Sequence, residues 1–101
     1  MDETGHSARV EAPEVKAALR LQAEFAVLGV STVIRLGSGV ALVIPERGPV
    51  VWVQWGRGAW LYRWRADDAL GGYAEVSTDT PGTAARRIGY AFGLRAAARC
   101  P

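Results

Sequence analysis

The stretch VVWVQWGRGAWLYRWR, residues 50–65, holds all four tryptophans of a 101-residue chain. A two-residue turn through Arg57-Gly58 predicts a hairpin in which Trp55 faces Trp60, Val53 faces Tyr62 and Val51 faces Trp64. Side chains alternate along a strand, so these six residues share one sheet face. The opposite face then carries Trp52 across from Arg63, Gln54 across from Leu61, and Val50 across from Arg65. One face is wholly apolar and the other is mixed. A slip of one residue would mix polar and apolar groups on both, which is what specifies the register.

Working outward, the runs VSTVIRLG, VALVIP, VVWVQW and AWLYRWR are rich in β-formers and separated by GSG, ERGP and GRG. They predict an antiparallel meander of four strands, with Tyr73-Ala74-Glu75-Val76 as a possible fifth edge strand. A four-residue ERGP loop would place Val40, Leu42 and Ile44 on the apolar face, and a three-residue GSG loop would add Ile34 and Leu36. Upstream, Pro13 suits a first helical turn and Gly29 a position just past a helix end. Between them, Val15, Ala18, Leu19, Gln22, Phe25, Ala26 and Leu28 form a broad stripe at helical spacing. Downstream, Thr80 and Pro81 predict the cap and first residue of a second helix, which carries Ala84, Ile88, Ala91, Phe92 and Arg95 on one side and Arg86 and Arg87 elsewhere. Gly89 and Gly93 weaken this helix and suit a close approach to the sheet.

The expected architecture is therefore α+β: helix, four- or five-stranded antiparallel meander, helix, with both helices on the apolar sheet face. Residues 12–96 form the single domain, residues 1–11 a disordered tail and residues 97–101 a flexible end. Three of the four tryptophans are expected in the core. Trp52 is the exception, placed where Arg63 can stack on its ring.

The second face also holds Arg35, Val33, Val43, Leu61 and Arg65. One reading is a solvated sheet whose long arginines cover scattered apolar groups. The other is an interface, because an apolar strip of Val33, Val43, Trp52 and Leu61 rimmed by arginine combines residue types enriched at binding hot spots. Self-association through this face or through an edge strand is the simplest form of that reading, and another protein is the alternative partner.

Chemistry is sparse. The lone His6 lies in the tail, the lone Cys100 is next to last, and no metal-ligand spacing occurs. The pair Asp67-Asp68 reads as loop solvation. GSG and GRG match hairpin turns rather than phosphate loops. These features predict no cofactor, no metal and no catalysis, with an enzyme assembled from distant carboxylates as a remaining alternative. The longest apolar run, Val40 to Ile44, is far too short to span a membrane. The polar amino terminus MDETGHSARV lacks a signal pattern, so a cytoplasmic location is expected.

The formal net charge is only +2, yet its distribution is uneven. Residues 1–14 are acidic, whereas Arg86, Arg87, Arg95 and Arg99 near the carboxyl end meet no acid. Helix-borne arginines 86, 87 and 95 could clamp phosphates, making nucleic-acid binding the second functional class. The element order is superficially similar to that of double-stranded-RNA-binding domains, although their lysine-rich motif is missing. The segment GVALVIPERGPVVWVQWGRGAWLYRW followed by TDTPGTAARRIGYAFG resembles small uncharacterised proteins of high-GC actinobacteria. That resemblance implies a bacterial cytoplasmic protein and carries no activity or site residues.

Overall fold

The computed structural model describes residues 12–66 and 71–94. The order is α1 (Pro13–Val27), β1 (Thr32–Gly37), β2 (Val40–Pro45), β3 (Val51–Gly56), β4 (Ala59–Arg65), β5 (Tyr73–Ser77) and α2 (Pro81–Ala91). The five strands form one antiparallel sheet in sequential order. This is the expected α+β meander, with β5 present as its last strand. The expected tail and carboxyl end, and the final residues of the expected domain, lie outside the described residues.

The β3–β4 hairpin has the expected register: Trp55 pairs with Trp60, Val53 with Tyr62 and Val51 with Trp64. Its turn works because Arg57 and Gly58 both adopt positive φ, 50° and 80°, which matches the right-handed twist of the flanking strands. Val51, Val53 and Tyr62 are fully buried and Trp64 is 2% exposed. Against them pack Ala17, Ala18, Leu21 and Phe25 of α1 with Ala84, Ala85 and Ile88 of α2. Both helices lie on this one face. The Tyr62 hydroxyl donates to the Ala17 carbonyl at 2.7 Å, and the Arg87 guanidinium lies 5.4 Å from the Trp64 ring centroid.

The ends of α1 follow from local chemistry. Pro13 opens the helix, where its missing N–H is no loss. At the other end Gly29 adopts φ 78°, its N–H donates to Ala26 O, and the Val30 N–H reaches back to Phe25 O, both at 2.9 Å. This pair of bonds is a Schellman motif, and buried Val30 and Phe25 join the same core.

β2 departs from expectation. Its partners are Ala41–Val53, Leu42–Trp52 and Val43–Val51, one residue out of the expected register. Ala41 and Val43 therefore point into the core, both fully buried, while Val40, Leu42 and Ile44 occupy the outer face. Residues 40–44 are all apolar, so the slip buries no polar group and alternation cannot oppose it. A second difference compensates. Gly37 pairs with Val40 across a two-residue turn whose Gly39 has φ 72°, so Ile34 and Leu36 return to the helix face as expected.

Smaller corrections concern the helices and the tryptophans. α1 buries Ala17, Ala18, Leu21 and Phe25, leaving Leu19 44% exposed and Ala26 exposed. Small side chains at 17 and 18 let the backbone come close enough for Tyr62 to reach it. Thr80 precedes α2 as expected, but its hydroxyl donates to Ser77 O at 3.3 Å and makes no cap to the helix amides. Gly89 is buried on the packed side of α2, while Ala91 is exposed. Trp55 and Trp60 meet edge to face, with centroids 5.6 Å apart. Trp60 packs partly against the core, but Trp55 is 57% exposed. Strand parity puts Trp55 on the helix face; it does not put a helix over it.

Candidate protein-binding face

The outer sheet face is organised by register into one row that crosses all five strands: Arg35, Leu42, Trp52, Arg63 and Glu75. Val33 and Ile44 pair alongside it, as do Arg65 and Tyr73 on the far strands, while Gln54 and Leu61 border the row at β3 and β4. No described helix packs on this face, since both helices bond to residues on the other side.

Of the residues expected here, Trp52, Arg63, Arg65, Arg35, Leu61 and Val33 lie on this face, and Val43 does not, because the β2 shift turns it into the core. The same shift supplies Val40, Leu42 and Ile44, which sequence reasoning assigned to the opposite side. Tyr73 was also missed as a contributor. Its signal was present in the alternation of β5, which puts Tyr73, Glu75 and Ser77 together on the outer face once Arg65 faces Tyr73.

The expected stacking of Arg63 on Trp52 is replaced by another arrangement. The Arg63 guanidinium sits 4.6 Å from the Tyr73 ring centroid, and Trp52 meets Tyr73 edge to face at 6.0 Å and 62°. Glu75 pulls Arg63 toward β5, with Arg63 Nε 3.5 Å from Glu75 Oε2. That separation makes an ion pair but no hydrogen bond, and Arg63 Nε is buried without a hydrogen-bond partner. The other Glu75 oxygen bonds the Arg57 guanidinium from the β3–β4 turn. Trp52, Gln54, Arg63 and Tyr73 line a shallow, open recess of about 170 Å³.

The described arginines of α2, Arg86 and Arg87, lie away from this face. Arg87 is engaged within the fold, donating to Glu75 O at 3.4 Å besides lying over Trp64. Arg86 donates to Thr83 Oγ1 at 3.3 Å, and Arg95 lies outside the described residues, as do His6, Cys100 and the Asp67-Asp68 pair. Among the described residues no group of three or more His, Cys, Asp or Glu could hold a metal, and no helix is long and apolar enough to cross a membrane.

No protein-family model matches this chain, and no curated protein and no solved structure matches it.

Proposed function

We propose that this chain is a non-catalytic protein-interaction module whose contact surface is the outer face of the sheet. The observation that carries this reading is the row Leu42–Trp52–Arg63 at the centre of a face that no described helix covers. A sheet normally buries each apolar face against another layer, and among the described residues this one has such a layer on one side only. Trp52 and Leu42 are each partly buried among their neighbours, so they are held in place and need little ordering when a partner arrives. The partner is a second copy of the chain or another protein.

Light scattering on a sizing column, with absorbance recorded at about 260 and about 280 nm together, tests the reading. The expected result is a protein-only assembly that Trp52→Ala weakens without altering the fold. A monomer that carries salt-sensitive nucleic acid, released by replacing Arg86 and Arg87 with alanine, would instead move the function to α2.

A further inference from the structure

The charge of the outer face narrows its occupant. Among the described residues Arg35, Arg63 and Arg65 stand on it against one acid, Glu75, and that acid already serves Arg63 and Arg57. Arg35 on β1 is exposed and, among the described residues, has no ion pair; Arg65 on β4 is exposed as well. Among the described residues no acid pairs with Arg35 or Arg65, so their positive charge stands on both sides of an apolar floor made by Leu42 and Trp52, with the recess beside Tyr73 opening into it. Two such faces brought together would set arginine-rich surfaces against each other, and like charges across an interface are costly.

Resting on the docking reading above, we infer that the occupant of this face is an acidic amphipathic segment of another protein. One of its large apolar side chains packs on the floor of Leu42 and Trp52, at the mouth of the recess lined by Trp52, Gln54, Arg63 and Tyr73. Its carboxylates meet Arg35 on one side and Arg65 on the other, where guanidinium geometry suits paired hydrogen bonds to carboxylate. The apolar contact supplies most of the affinity, and the two arginines select against neutral or basic segments.

The experiment is selection of a random peptide library on the immobilised full chain, with peptides that also bind the Trp52→Ala chain removed at each round. Enriched peptides are expected to combine Asp or Glu with Leu, Phe or Trp. A representative peptide should bind about tenfold more weakly to R35E/R65E than to the unmodified chain, and also lose affinity when salt rises from about 50 to about 500 mM. Both arginines are exposed, so R35E/R65E is expected to keep the circular dichroism and unfolding midpoint of the parent. Enriched peptides that are neutral or basic, bind independently of salt and ignore R35E/R65E would overturn the acidic class while leaving the docking face intact. No enrichment over the Trp52→Ala chain would overturn both. A Trp52-dependent homodimer that excludes the selected peptides, or a single-stranded oligonucleotide probe that displaces them through Arg35 and Arg65, would overturn the acidic segment in favour of that occupant.

Discussion

Replacing Tyr62 by phenylalanine should make the protein less stable at neutral pH and more stable at strongly alkaline pH. In the parent chain the Tyr62 hydroxyl is fully buried and donates to the Ala17 carbonyl at 2.7 Å. Burial, which disfavours the phenolate, pushes its pKa from 10.0 up to about 12; Arg20 pulls it down and Glu24 pushes it up to lesser degrees. Below pH 10 the variant lacks one buried hydrogen bond, a net loss of about 1 kcal/mol, and the Ala17 carbonyl keeps its place in the α1 ladder. Above pH 10 the unfolded chain releases a proton that the folded chain retains, so rising pH favours unfolding of the parent. Each pH unit between the two pKa values is worth about 1.4 kcal/mol, and about 2 kcal/mol is gone by roughly pH 12. Phenylalanine has no proton to release at this position. Stability of the two chains should therefore cross near pH 11, with the variant about 1 kcal/mol ahead by roughly pH 12. Urea unfolding followed by tryptophan fluorescence from about pH 8 to about pH 12 measures this. Groups common to both chains cancel in the difference. Two stability curves that stay parallel would show that the Tyr62 hydroxyl is not held in a buried bond to α1.

Other substitutions address the sheet. Trp64→Ala should cost about 3–5 kcal/mol in urea unfolding, whereas Trp55→Ala, at a residue 57% exposed, should cost about 1 kcal/mol or less; the reverse ranking would mean the helices cover the wrong end of the sheet. Val43→Asp should cost at least about 3 kcal/mol because it buries an unpaired carboxylate, while Leu42→Asp should leave a folded chain. Equal damage from both, read by circular dichroism, would contradict the register of β2. Gly58→Val forces a β-branched residue to φ 80° and should lower the unfolding free energy by about 1 kcal/mol or more. An unchanged midpoint in that variant would show that the turn is not left-handed.

Much of the fold was legible because local signals agreed. Arg57-Gly58 demands a tight turn, and the strands beside it sort cleanly into apolar and mixed faces, so turn geometry and burial specify the same register. Pro13 and Gly29 bracket α1 for equally local reasons, one lacking an N–H and the other tolerating positive φ. The candidate site was legible to the same extent: Trp52, Leu61, Arg63 and Arg65 follow from that hairpin alone.

The remaining features depend on contacts between distant residues. Residues 40–44 are apolar at every position, so nothing within β2 says which side faces the helices; packing of Ala41 and Val43 beneath α1 decides it. That decision removes Val43 from the outer face and places Leu42 beside Trp52. Likewise the pairing of Arg63 with Tyr73 waits on β5 and on Glu75, which draws the guanidinium away from Trp52. By itself the sequence determined the strands and the turn and register of the central hairpin, since these rest on backbone preference and on the contrast between two faces. Tertiary structure decided how far each helix extends over the sheet, which side of β2 is inside and which ring each arginine meets, because those depend on packed volume and on charges brought together only by folding.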